Sequence, residues 1–192
     1  MKVLLVGEGS HEAGGALETL VRRLSQREIQ CDFRKISDPS LHAHHGKGQG
    51  MFKRAVRWLL QAAQEGYDAL VLLVDHDGFD QRIGEIDLAQ EERRLSVLPR
   101  ALGVAIRTFD AWMLADEVAL RQVLQCPAIQ RQPAPETIGD PKSLCDQLCC
   151  EAGRPMALSD MYKAVLQTAN LDILVERCPN GFAPFAARVR AI

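Results

Sequence analysis

Asp68-Ala69-Leu70-Val71-Leu72-Leu73-Val74-Asp75-His76-Asp77-Gly78 decides the fold. Its unbroken apolar run, closed by two acids and a glycine, predicts a central strand covered on both faces. Working outward, Lys2 to Gly7 is a second short apolar run and predicts a buried first strand. Residues 12–27 carry Leu17, Leu20, Val21 and Leu24 at helical spacing. Residues 29–36 alternate loosely and predict a strand. Met51 to Glu65 predicts a strongly amphipathic helix, 84–98 another helix and 102–107 a fourth strand. From Asp110 to about Gln125 the pattern is again helical. Strand and helix thus alternate, which predicts an α/β fold with a mostly parallel sheet and helices on both faces. A Pro-containing loop from Cys126 to Gly139 follows, then three helical candidates near 140–152, 158–169 and 180–191. The expected organisation is an α/β core over 1–125 and a helical extension over 126–192 packed on it, in one compact domain.

The chain has 192 residues, which suits one domain. With 47% hydrophobic and 25% charged residues, wholesale disorder is excluded. A net charge of −2 excludes a protein that coats nucleic acid by bulk charge. That total hides an asymmetry: residues 21–60 sum to +6 and residues 61–120 to −7. The six cysteines include no C-x-x-C pair, and no histidine stands at a zinc-ligand interval from them. Cys145, Cys149 and Cys150 read as small buried hydrophobes on a helix. The first apolar run is too short for a signal peptide, and no stretch approaches the ~20 apolar residues of a bilayer span. A reduced, cytoplasmic, soluble protein without membrane contact is expected.

In open parallel sheets, ligands bind beyond the C-terminal ends of the strands. Glu8 and Glu12 follow the first strand, and Asp75 and Asp77 the third. Strand alternation predicts that Asp75 and Asp77 point the same way, with His76 on the opposite face. Carboxylates so crowded repel unless a cation or a proton lies between them. Hard oxygen donors suit Mg²⁺ or Mn²⁺. If the first and third strands are neighbours, Glu8 approaches the pair, and the chemistry favoured is phosphoryl transfer. His11 lies close enough to this centre to be a further candidate.

Lys47, Lys53, Arg54 and Arg57 lie in and after the loop His42-Ala43-His44-His45-Gly46-Lys47-Gly48-Gln49-Gly50. They are candidates for holding a nucleic-acid backbone, with the helix start at Met51 offering free N–H groups to phosphate. The loop lacks the full P-loop pattern, so an ATP cradle is not expected. Glu12 stands where a dinucleotide fingerprint needs glycine, and its charge would oppose a pyrophosphate.

These residues carry a family resemblance. A strand ending in Glu-Gly and a later one ending in Asp-x-Asp resemble the Toprim domain of topoisomerases, primases and OLD-type nucleases. Gly7-Glu8-Gly9-Ser10-His11-Glu12 is similar to the E-G-x-x-E opening of Toprim-like nucleases. Phe109-Asp110-Ala111-Trp112-Met113-Leu114-Ala115-Asp116 is similar to the E-A-W-L-L-A-D signature of the "domain of unknown function 4276" branch. Asp140-Pro141-Lys142, Tyr162-Lys163, Phe182 and Phe185 match its later features. The resemblance implies a Toprim/Rossmann-like fold with a Mg²⁺ or Mn²⁺ centre. By position, Glu8 would be the acid/base or metal-linked carboxylate and Asp75 and Asp77 metal ligands. Glu12 would serve a second ion, and Asp110 would support the site. Members of the branch that lie beside ATPases in prokaryotic defence loci imply a nuclease or effector role, with an ATPase as partner. Thr108 stands where the branch often has another acid, and Asp110 is shorter than the usual Glu, so the number of ions stays open.

Three readings follow. The first is a metal-dependent nuclease or phosphotransfer domain acting on nucleic-acid phosphodiesters. The second is a non-catalytic Toprim-fold interaction subunit. The third takes Asp75-His76-Asp77-Gly78 as the D-x-D-G of haloacid-dehalogenase-type phosphatases, with Asp75 as nucleophile. DNA or RNA as substrate, and self-association into a homo-oligomer, stay open.

Overall fold

The computed structural model describes residues 1–9, 12–38, 50–93, 98–152 and 156–192. Four parallel strands form the sheet: β1 (Lys2–Gly7), β2 (Gln30–Lys35), β3 (Ala69–Asp75) and β4 (Arg100–Ala105), in the order β2-β1-β3-β4. β1 and β3 are therefore neighbours, with Leu4 opposite Leu70 and Val6 opposite Leu72. The central position of β3 explains its composition. Every residue from Ala69 to Val74 is buried, because helices cover both faces.

Alternate strand residues feed two cores. On one face Val3, Leu5, Val71, Leu73 and Ala101 pack with α1 (Leu17–Ser25) and with helices from the C-terminal third. On the other, Leu4, Val6, Leu70, Leu72, Val74, Leu102 and Val104 pack against α2 (Met51–Gln64) and α3 (Gln81–Glu91). The remaining helices are α4 (Asp110–Met113), α5 (Glu117–Leu124), α6 (Pro141–Glu151), α7 (Leu158–Thr168), α8 (Leu171–Arg177) and α9 (Phe182–Arg190). The residues after 126 thus supply part of one face of the core, with Met161, Tyr162, Val165, Phe182 and Phe185 all buried in it. Trp112 sits among Phe109, Phe182 and Phe185, at centroid distances of 5.4, 5.1 and 5.6 Å. Edge-on aromatic contacts of this kind add about 0.5–1.5 kcal/mol each to the burial itself. Gly103 permits the approach of α9: a Cβ there would lie 2.5 Å from Cδ2 of Phe185.

Several elements differ from the sequence reading. The helix expected over 12–27 begins as a π-type turn, Glu12–Ala16, with Gly15 in the left-handed region at φ 94°. Gly14 and Gly15 allow this kink, and Ser159 and Lys163 of α7 lie against it. The helix expected from Asp110 to Gln125 is two, α4 and α5, broken so that Asp116 can cap α5. The helix over 171–177 was not anticipated; seven residues offer too few turns for a clear periodicity. Cys145 and Cys149 are buried as expected, but Cys150 is exposed, because it falls on the outer face of α6. No helix among the described residues is long and apolar enough to cross a membrane.

Candidate active site

β1 and β3 end side by side, and their ends bring the acids together. Glu8 follows β1 directly, and its Oε2 accepts the backbone N–H of Asp75 at 3.0 Å. Asp75 is the last residue of β3, and its Oδ1 accepts the N–H of Phe109 at 2.7 Å. That bond ties the end of β3 to the start of α4, where Asp110 is buried. Glu12 is also buried, at 4% exposure, in the turn after β1. Gly9 makes room for it: a side chain there would overlap the Glu12 carboxylate.

The electrostatics follow from the crowding. Burial pushes the Asp75 carboxyl up to about 8. The charge of Glu12 adds to this, the Phe109 N–H opposes it, and Glu8 and Asp110 add smaller repulsions. Glu12 is raised for the same reason: burial first, offset by its own amide and that of Gly9, then reinforced by Asp110 and Glu8. Four carboxyl groups therefore share one poorly solvated region at the strand ends. The Tyr162 hydroxyl in α7 donates to Oδ1 of Asp110, and the Cys145 thiol to the Asp110 carbonyl. The Tyr162 hydroxyl is correspondingly raised by burial and by neighbouring Cys145 and Asp110.

Asp77 is placed differently from the expectation. β3 ends at Asp75, and Asp77 sits in a turn at φ 50°, so strand alternation does not align the two side chains. Asp77 is exposed and reaches the centre through Arg82. The Arg82 guanidinium lies 3.1 Å from Asp77 Oδ2 and 3.3 Å from Glu8 Oε2, and it donates to the carbonyl of Asp75. His76 turns away and meets the exposed Asp80 at 3.0 Å.

Of the basic candidates, Arg54 lines a cleft of about 520 Å³ with Phe79, Gln81, Arg82 and Glu85, next to the acids. Lys53 is exposed on α2, and Arg57 is partly buried. At the start of α2 the Met51 N–H already donates to Glu85. A phosphate there would meet that carboxylate. Lys47 and His11 lie outside the described residues, as does most of the His/Gly loop.

Arg82 and Tyr162 are the two residues of the centre that sequence reasoning missed. Arg82 lies in no motif, and Tyr162, though part of a Tyr-Lys match to the family it resembles, was given no role in the site. Arg82 is one helical turn beyond an Asp-x-Asp, and Tyr162 is 52 positions from the carboxylate it bonds. Among the described residues, no three His, Cys, Asp or Glu side chains already surround one point at metal-ligand spacing. The donor set is nevertheless of the kind Mg²⁺ and Mn²⁺ take, all carboxylate oxygen with more negative charge than its single arginine neutralises.

The fold and this centre define a parallel α/β protein with a carboxylate cluster at the strand ends. No protein-family model, curated protein or solved structure matches the chain.

Proposed function

We propose that the chain is a metal-dependent, Toprim-like phosphodiesterase acting on nucleic acid. The observation that carries this reading is the convergence of Glu8, Glu12, Asp75 and Asp110 at the strand ends, where burial first and the neighbouring carboxylates second push the Asp75 carboxyl up to about 8. A carboxyl group so disfavoured as an anion gains most when a cation replaces its proton. Asp75, with Glu12 and Asp77 near it, would hold Mg²⁺ or Mn²⁺, which would supply positive charge to phosphate oxygens. Glu8 is the acid best placed to take a proton from attacking water, being partly exposed and fixed by the Asp75 amide. Arg82 keeps a positive charge beside the incoming phosphate. Tyr162 holds Asp110 in place through one hydrogen bond. The E-G-x-x-E and Asp-x-Asp resemblance supports the same reading, and an ATPase partner in a prokaryotic defence system belongs to it. A carboxyl group that retains a proton is a poor nucleophile, which favours this reading over an Asp75-dependent phosphatase.

The test is cleavage of DNA and RNA in millimolar Mn²⁺. Glu8→Gln and Asp75→Asn proteins, with unchanged circular dichroism, should each lose about 100-fold or more in rate. A second reading, a non-catalytic interaction subunit, is favoured by Arg82 alone, since its guanidinium already pairs two of the acids. Absence of cleavage together with absence of Mn²⁺ binding at millimolar concentration would select that reading.

A further inference from the structure

Beside the acids lies a second cleft, of about 280 Å³, between the turn after β3, the segment joining β4 to α4, and the start of α6. Asp77, Arg107, Thr108, Asp140 and Lys142 are among its walls. Its position relative to the acidic centre is fixed by backbone bonds. The His76 N–H donates to the Ala105 carbonyl at 2.9 Å, and the Asp77 N–H to the Arg107 carbonyl at 3.1 Å. The pairing of β3 with β4 thus continues past both strands and sets Arg107 next to the Asp77 turn.

The charges in this cleft are unequally committed. Asp77 pairs with Arg82. Asp140 is spent as the cap of α6: its Oδ1 accepts the Ser143 N–H at 2.9 Å and its Oδ2 the Ser143 hydroxyl at 2.7 Å. The two cations are held less tightly: Lys142 acts through space on Asp140, helping to hold that carboxyl low after its two bonds from Ser143, and no such partner is seen for Arg107 among the described residues. Arg107 and Lys142 are exposed, and neither side chain forms a hydrogen bond or ion pair with a described residue. The Thr108 hydroxyl is buried behind the same wall, without a hydrogen-bond partner among the described residues.

Both cations also stand where their own backbone gains nothing from them. Arg107 occupies the left-handed region at φ 63°, which glycine adopts freely and arginine does not. Lys142 lies in the first turn of α6, where a positive charge opposes the helix dipole. Backbone conformation therefore explains neither residue, and the cleft brings two exposed cations without a close ion pair to the edge of the acidic centre.

We propose that this cleft is a phosphate subsite, in which Arg107 and Lys142 hold a phosphodiester of the nucleic acid next to the one presented to the acids. The proposal rests on the reading of the centre as a phosphodiesterase and adds where its substrate backbone is held. Arg107 and Lys142 contribute charge from two sides of the cleft. Recognition of this kind is independent of base sequence.

The test is fluorescence anisotropy with fluorescein-labelled DNA and RNA oligonucleotides of one sequence, in EDTA, so that binding is read without cleavage. Arg107→Gly relaxes its own backbone, and Lys142→Gln removes a charge disfavoured by the dipole, so neither should unfold the chain. Each should weaken binding by about 3–10-fold and reduce the slope of log affinity against log salt by about 0.7–0.9. The DNA and RNA arms identify which backbone is held. If the unaltered protein does not bind, or if the double variant matches it in affinity and salt slope, the subsite is overturned. In the latter case, Mn²⁺-dependent cleavage that still needs Glu8 would leave the phosphodiesterase reading standing. If binding needs Arg107 and Lys142 but no cleavage occurs with Mn²⁺, the subsite stands and the phosphodiesterase reading falls.

Discussion

Four carboxylates are buried among the described residues, and they fall into two contrasting pairs: Asp116 and Glu136, and Glu12 and Asp110. Asp116 accepts the N–H groups of Val118 at 3.0 Å, Ala119 at 3.2 Å and Asn170 at 2.8 Å. Glu136 accepts those of Gly181 at 2.7 Å and Asn180 at 3.1 Å, with the Asn180 side-chain amide at 3.3 Å. Each charge is met by donors that would otherwise be orphaned at a helix start. The second pair has far fewer donors and faces other acids, Asp75 and Glu8. Burial alone does not mark a site. A buried carboxylate surrounded by N–H groups is a fastener, whereas one surrounded by carboxylates is open to a proton or a cation.

The largest test of this contrast is the pH dependence of stability. The Asp75 carboxyl titrates near 8 in the folded chain, against an ordinary value of 3.8. The native state therefore holds a proton that the unfolded chain releases. The resulting stabilisation is complete below about pH 4, declines as the pH rises, and is lost once the pH passes about 8. Glu12, raised as well, acts in the same direction. Between pH 5 and 8.5, without divalent ions, the unfolding free energy should fall by about 2–5 kcal/mol, allowing for partial solvent contact. Asp75→Asn should remove most of that slope. Urea unfolding at the two pH values decides it, and an unchanged slope in the variant would break the contrast.

The fasteners should behave in the opposite way. Asp116→Ala strips three backbone N–H groups of their acceptor, two in the first turn of α5 and one at Asn170 before α8. The expected cost is about 2–3 kcal/mol, read as a lower urea midpoint, with the wild-type pH slope retained. Glu12→Gln at pH 7.5 should cost less than this, since it removes a repelling charge. An equal loss at both positions would show that the two pairs are not different in kind.

Much of this was legible in the sequence, and the omissions have physical causes. The unbroken run of β3 and the shorter one of β1 predicted buried parallel strands, and the acids after them were found together because both strands end on the same edge. Asp110 was reached only through the resemblance of Phe109 to Asp116 to a family signature; the packing of Phe109 on Trp112, which fixes the start of α4, was not legible there. Strand alternation failed for Asp77 because the strand ends two residues earlier, and a positive φ is invisible in an Asp-x-Asp. Tyr162 and Arg82 were missed because their partners are chosen by packing: Tyr162 by the docking of α7 on the Glu12 turn, Arg82 by the return of α3 under the strand ends. Local patterns describe an element and its exposed face, not which polar tip of another element comes to meet it.

Arg82 offers the smallest effect and the finest distinction. Among the described residues its guanidinium is the one cation paired with Glu8 and Asp77, and it also lies 5.1 Å from the centroid of the exposed Phe79 ring. Arg82→Ala removes two partly exposed ion pairs and one ring contact, a loss of about 0.5–1.5 kcal/mol in stability. Its effect on Mn²⁺ is more informative than that cost. If the acids form a cation centre that Arg82 partly neutralises, the variant should bind Mn²⁺ about 3–10-fold more tightly by calorimetry, because a competing positive charge has gone. If Arg82 instead holds Glu8 and Asp77 in the positions that ligation needs, affinity should fall. The sign of the change thus separates a counter-ion from a positioning residue, and Asp116→Ala, at a carboxylate of the fastener kind, should leave Mn²⁺ affinity where it was.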